Sequence, residues 1–400
     1  MIIPRAAKST GQAGVTPKAP GRRGAARHPR FATAVSLVCA VAAFGTVTLS
    51  AVPTGAAVAR THTAARARAH AAAEARTNAA AEARAHAAAR ARAHAIARAR
   101  AHAAARADAT AAVSRTRSGL PWASGAYLPT GTPAAAAAFG AWRNRPLDLG
   151  EVSLNTSTWA SITDPAWLYR RWEGSPYAMV FTVAMLPTHV RGVSIQACAH
   201  GYYNAYWRQF GQVIRSYGLG SSIIRLGWEF NGKWYRWAAT NPKAWAECWV
   251  QAVTSAWSTA PRLRWDWNVN RGLSSALAHP ALAYPGNHYV SMIGIDSYDW
   301  WPSVSMAGGW HQQLDGTQGL NYWLAFAKAH GKKLSVPEWG SVRYGRSAGG
   351  DDPRYVRDMR AFFVANAPYI AFETIFQGAR GNYKAGHAMP NAAHAYKAGF

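Results

Sequence analysis

An eight-stranded parallel (β/α)8 barrel is the fold that the sequence predicts for residues 116–400, and three observations predict it. Eight short apolar or β-branched runs recur along this segment, separated by longer stretches of helical spacing. The segment is about 285 residues long, which suits a fold whose usual size is ~250. The alternative, a doubly wound sheet, usually carries a Gly-rich phosphate turn after its first strand, and residues 123–131 offer no G-x-G-x-x-G. Composition agrees with a large core in this part of the chain: all 19 Trp lie between Trp122 and Trp339.

The predicted strands span residues 123–128, 147–153, 179–184, 223–228, 264–269, 291–296, 334–336 and 370–376. Each is a run of apolar and β-branched residues between turn formers or polar segments. Helices fill the gaps. Tyr203, Trp207, Phe210, Val213 and Ile214 recur at helical spacing within residues 202–217. Residues 244–258, 319–330 and 353–365 read the same way, and Trp207, Trp245 and Trp257 take core positions.

The first third of the chain is different material. Residues 1–115 hold 18 Lys+Arg against 3 Asp+Glu, whereas residues 116–400 hold 26 against 15. Residues 1–59 combine a basic start, an uncharged apolar run from Phe31 and Ala57-Val58-Ala59. That pattern reads as a secretory signal peptide cut after Ala59, or as an uncleaved signal anchor, since residues 31–49 approach the ~20 that span a bilayer. Either reading makes the protein secreted or held at the cell surface, and a membrane is a partner only in the second. Residues 60–115 form a low-complexity stalk, with 29 Ala among residues 60–112 and Arg repeating every eight residues from Arg60 to Arg100. Eight residues at 100° leave an 80° drift, so neither the Arg nor the His series keeps one helical face. The stalk therefore reads as a basic spacer that can touch anionic cell-wall polymers, and not as a metal tract. Nucleic acid is not expected as a partner, because export separates the chain from it.

In a (β/α)8 barrel chemistry gathers at the C-terminal strand ends. Strand four ends in RLGWEFNGKWYRW (225–237), strand five in WDWNVN (265–270), strand six in DSYDWW (296–301) and strand seven in PEWG (337–340). Glu229 and Glu338 each close an apolar run beside Trp. A carboxyl against a large apolar face has a raised pKa and suits a general acid, and a second carboxylate close by suits a nucleophile at a sugar carbon. Indole faces suit the C–H faces of pyranose rings. Asp266, Asp296 and Glu373 are rival carboxylates with structural readings. No cofactor or metal is expected.

The segment RLGWEFNGKWYRW resembles the acid/base motif of glycoside hydrolase family 26 and its clan-A relatives, and LSVPEWG and IGIDSYDWW resemble their strand-seven and strand-six segments. The resemblance covers about residues 120–380. It implies a retaining glycoside hydrolase acting on a β-linked polysaccharide of the mannan, β-glucan or xylan class, with Glu229 as acid/base and Glu338 as nucleophile. It further implies that Tyr298 hydrogen-bonds the nucleophile, that Arg225 lies near it, and that Trp300 or Trp301 floors a sugar subsite. Trp228, Asn231, Trp234, Trp237, Asn268 and Trp339 complete the expected substrate-binding set. One departure leaves the sugar open: mannanases of this family mostly carry His before the acid/base, and this chain carries Trp228. The alternative function is a non-catalytic carbohydrate-binding barrel tethered by the basic stalk. Cys198 and Cys248 are the two cysteines of the barrel segment, and export permits a disulfide between them.

Overall fold

The computed structural model describes residues 116–128, 131–378 and 389–400, together with residues 73, 76 and 77. The signal or anchor segment and almost all of the stalk lie outside the described residues. Eight parallel strands run in chain order around a closed barrel: β1 Ala123–Tyr127, β2 Leu149–Ser153, β3 Ala178–Val183, β4 Ile223–Leu226, β5 Arg264–Asn270, β6 Met292–Tyr298, β7 Leu334–Gly340 and β8 Ile370–Phe376. Closure comes from β1, which pairs with β2 on one side and β8 on the other.

Ten α-helices surround the strands in the described residues: α1 Pro133–Trp142, α2 Trp159–Thr163, α3 Ala166–Trp172, α4 Ile195–Ala199, α5 Asn204–Ser216, α6 Pro242–Trp257, α7 Gly309–Asp315, α8 Leu320–Ala329, α9 Pro353–Ala365 and α10 Pro390–Gly399. Their starts follow local chemistry. Asn241 accepts a hydrogen bond from the Ala244 amide and is followed by Pro242 at the first helical position of α6. Asp352 and Pro353 open α9 in the same way. Among the described residues no helix is long and apolar enough to cross a membrane.

Three C-terminal strand ends differ from the sequence expectation by two residues or more. Strand β4 stops at Leu226 because Gly227 and Glu229 adopt left-handed backbone, with φ of 55° and 50°. Strand β7 continues through Pro337 to Gly340, past a register shift against β6 and β8, so Glu338 lies within a strand rather than after one. Strand β6 runs two residues further, to Tyr298.

Alternation along the strands separates two interiors. Inside the barrel, near the strand starts, Leu149, Val180, Ile223, Met292 and Phe372 form an apolar plug. Outside, between strands and helices, lies the main core, and the tryptophans are concentrated there: nine of the 19 are completely buried, among them Trp245, Trp249, Trp265, Trp267 and Trp323. Trp267 of β5 meets Phe230, Tyr284, Trp323 and Phe326 with ring centroids 4.9–5.9 Å apart. Cys198 of α4 and Cys248 of α6 form a disulfide across a Cα–Cα distance of 4.8 Å.

Candidate active site

Arg225 is the centre from which the site is built. Its guanidinium is fully buried, and its partners come from five other strands, which is possible only inside a closed barrel. Nη1 lies 2.6 Å from Glu151 Oε1 of β2, 2.9 Å from Thr182 Oγ1 of β3 and 2.8 Å from Glu338 Oε1 of β7. Nη2 donates to Asn268 Oδ1 of β5 at 3.1 Å and to Asp296 Oδ2 of β6 at 2.7 Å. Surrounding carboxylates hold Arg225 charged despite its burial. A lone guanidinium cannot neutralise so many acids, so burial raises Glu151 and Asp296 above their ordinary values. Asp266, one layer deeper and hydrogen-bonded by Ser335, is pushed up by burial to about 7.

This crowding needs room. An added Cβ on Gly294 of β6 would lie 2.3 Å from Asp266 Oδ1 and 2.9 Å from Asn268 Nδ2, so a side chain there would displace the polar layer.

Two carboxyls stand at the C-terminal ends of β4 and β7, each almost fully buried: Glu229 is 2% exposed and Glu338 6%. Their surroundings push them in opposite directions. Burial raises Glu229, the charge of Glu338 raises it further, and a hydrogen bond from Trp234 Nε1 to Oε2 at 2.8 Å offsets part of this. Burial works against ionisation of Glu338 as well. There the Arg225 charge, the Arg225 hydrogen bond and the Tyr298 hydroxyl, which donates to Oε2 at 2.7 Å, outweigh it and hold the carboxyl below its ordinary value.

The Glu229 backbone is fixed from β5, its amide donating to the Asn268 carbonyl at 3.1 Å. Trp234 reaches Glu229 because Gly232 has no side chain: a Cβ there would sit 2.1–2.4 Å from the Trp234 ring. Beside Glu338, Tyr127 of β1 stacks on Phe376 of β8 at 4.4 Å and 12°, and Phe376 meets Tyr298 edge-on at 5.8 Å. Among the described residues no group of three or more His, Cys, Asp or Glu is placed to hold a metal ion.

No protein-family profile matches the chain. Over 234 residues, 54% of the chain, it is 26% identical to Endoglucanase H of Acetivibrio thermocellus; the match covers 23% of that protein, so the chain spans under a quarter of the length of this curated relative. Among solved structures, a double mutant of the Cellulomonas fimi endo-β-1,4-mannanase superposes with a TM-score of 0.50 at 15% identity, over 69% of this chain and 70% of that one. The catalytic domain of the glycoside hydrolase family 26 endo-β-1,4-mannanase from Bacillus sp. JAMB-750 gives 0.50 at 14% identity, over 70% and 86%. The barrel shares its fold with these family 26 mannanases. The resemblance read from RLGWEFNGKWYRW, LSVPEWG and IGIDSYDWW thus agrees with the architecture.

Within the barrel, Glu229, Glu338, Arg225, Asn268, Tyr298 and Trp234 are brought together. Trp301 stands at the rim, 59% exposed, next to Trp300, whose Nε1 donates to the Arg346 carbonyl at 2.6 Å.

Four residues of the expected substrate-binding set have their side chains engaged within the protein. Trp339 is completely buried on the outer face of β7, packed on Phe363 and Phe400 and donating to Glu373 Oε2 at 2.6 Å; as the next residue in the strand after Glu338 it must point the other way. Trp237 is completely buried, its Nε1 donating to the Trp228 carbonyl at 2.9 Å. Asn231 braces the end of β5, donating to the Asn270 carbonyl at 2.8 Å and accepting from its amide at 2.9 Å. Trp228 is 7% exposed and spends its indole N–H on Tyr235 Oη at 2.9 Å.

Sequence reasoning missed Glu151, Tyr127 and Phe376. A Glu in the middle of an otherwise apolar predicted strand was the available signal for the first. The aromatic residues closing β1 and β8 were the signal for the other two.

Proposed function

We propose that the barrel is a glycoside hydrolase that cleaves a β-linked polysaccharide by double displacement. The observation that carries this reading is the unequal surroundings of the two strand-end carboxyls: Glu338 accepts hydrogen bonds from Arg225 and Tyr298, and Glu229 accepts one from the neutral Trp234 indole. A buried carboxyl without a cationic partner, as Glu229 is, suits the donation of a proton to the leaving glycosidic oxygen, while Glu338, held ionised by Arg225, suits attack on the anomeric carbon. Loss of the leaving group then makes Glu229 a base for the water that releases the glycosyl-enzyme. Trp234 and Trp301 offer indole surface to neighbouring sugar rings. The fold likeness to family 26 mannanases and the partial match to an endoglucanase support β-mannan and β-glucan as first substrates to test.

The test is substitution with rescue. Glu338→Ala and Glu229→Ala each lose about 10³-fold or more in turnover on the true polysaccharide. Azide restores both on an activated aryl glycoside, giving an inverted glycosyl azide with Glu338→Ala and a retained one with Glu229→Ala. Near wild-type turnover in either variant overturns the assignment. Glycan binding without turnover by the wild-type chain favours the carbohydrate-binding alternative.

We further propose that the protein is exported. The Cys198–Cys248 disulfide supports an oxidising compartment, as does the basic-then-apolar pattern of residues 1–59. The basic stalk would meet anionic polymers of the cell surface. Salt-sensitive adhesion of residues 60–115 alone tests that contact.

A further inference from the structure

We infer that Tyr235 is a substrate-binding residue whose hydroxyl donates a hydrogen bond to the 2-hydroxyl of the sugar held between Glu229 and Glu338. This rests on the glycoside hydrolase reading and adds to it a residue that the motif does not assign.

The first argument is donor bookkeeping. Trp228 Nε1 is a donor only, so in the 2.9 Å contact the Tyr235 oxygen accepts. The phenolic hydrogen is then uncommitted, and no acceptor for it stands among the described residues. Trp228, which directly precedes the acid/base, has meanwhile used its single donor internally and has none to offer a ligand.

The second argument is position. The Tyr235 ring lies 6.5 Å from that of Trp234, the indole that donates to Glu229, and the charges of Glu229 and Glu338 both act on the Tyr235 hydroxyl. The side chain is half-buried. The third argument is rigidity. The Tyr235 ring stacks on Trp237 at 4.6 Å and 11°, and Trp237 is completely buried and tied to the Trp228 carbonyl. A donor with a free proton, pinned one indole away from the acid/base, is placed for the hydroxyl adjacent to the anomeric carbon. Hydrogen bonds to that hydroxyl strengthen as the oxocarbenium-like transition state forms. Trp228 thereby orients Tyr235.

The experiment compares Tyr235→Phe and Trp228→Phe on 2,4-dinitrophenyl β-mannoside, β-glucoside and their common 2-deoxy counterpart. Tyr235→Phe is expected to lower kcat/KM by about 100-fold on whichever 2-hydroxy glycoside the wild type prefers, mostly through kcat, and by less than about 3-fold on the 2-deoxy glycoside. Trp228→Phe, which keeps the hydroxyl and removes only its orienting donor, is expected to lose about 10-fold or less. Equal losses on 2-hydroxy and 2-deoxy substrates, equal losses in the two variants, or unchanged turnover in Tyr235→Phe overturn the inference while leaving the hydrolase reading intact. A wild-type chain that turns over no β-glycoside or β-glycan removes the hydrolase reading and this inference with it.

Discussion

The inner and outer faces of the barrel strands are built from opposite chemistries. On the inner face, above the apolar plug, the strands present Glu151, Thr182, Arg225, Asn268, Asp296 and Glu338, joined by hydrogen bonds between 2.6 and 3.1 Å, with Asp266 bonded separately by Ser335. On the outer face the same strands present Ile224, Leu226, Trp265, Trp267, Ile293, Ile295 and Trp339 against the helices. Residues one apart in sequence, such as Glu338 and Trp339, therefore serve different ends. The outer layer supplies stability by removing aromatic surface from water. The inner layer sets which carboxyl holds a proton, at a cost in buried charge that one guanidinium only partly offsets.

This contrast can be broken most forcefully from the outside. Trp267→Ala leaves a large cavity among four rings and should cost about 3–5 kcal/mol of stability, read as the shift in denaturant midpoint. The folded fraction should keep its kcat and its pH profile. A changed profile with unchanged stability would show that the two faces are not separable in this way.

Tyr298→Phe acts on the inside. It removes one of the two hydrogen bonds that stabilise ionised Glu338, so the acidic limb of the pH–rate profile should move to higher pH and kcat should fall about 10–100-fold, with little change in unfolding. Trp234→Phe addresses the other carboxyl. The Trp234 hydrogen bond lowers Glu229, so its loss should raise Glu229 and move the basic limb to higher pH. Gly232→Ala should reproduce that shift by forcing the indole away, and a failure to do so would detach Trp234 from acid/base tuning.

The smallest effect expected concerns stability against pH. Asp266 and Glu373 are each raised by burial to about 7 in the folded chain. A raised folded pKa means that the native state holds its proton more tightly than the unfolded state. Their contribution is therefore fully present below about pH 4 and is lost as pH rises through about 7. Asp266→Asn, which keeps the shape, should flatten the fall in Tm between pH 5 and pH 8 by a few degrees, and an unaltered slope would assign the pH dependence elsewhere.

The sequence made the barrel legible because each strand carries its own apolar run, and it made Glu229 and Glu338 legible because a carboxyl at the end of such a run is costly without a purpose. The direction of the tryptophans was harder to read. Counting them near strand ends suggested an aromatic cleft, yet Trp237 and Trp339 pack into the helical layer. The period-two rule already forbids Trp339 from sharing a face with Glu338, provided that β7 is known to continue through Pro337. That continuation depends on a register shift against both neighbours, which no local pattern specifies. Glu151 was hidden for a related reason: its partner Arg225 is 74 residues away, and only closure brings them to 2.6 Å.

The Gly232 turn has one more consequence. Glu229, the indole that tunes it, the Tyr235 hydroxyl and the Trp228–Trp237 ties that hold them all lie within ten consecutive residues, 228–237, on a single loop. The nucleophile has no such continuity, since its partners Arg225 and Tyr298 arrive from two separate strands and Arg225 depends on a third and fourth through Glu151 and Asn268. The side chains of the proton-donating half of the site thus form a cassette on one peptide, seated on β5 through Asn268 and Asn270, whereas the attacking half is a property of the whole ring and can be inherited only with it.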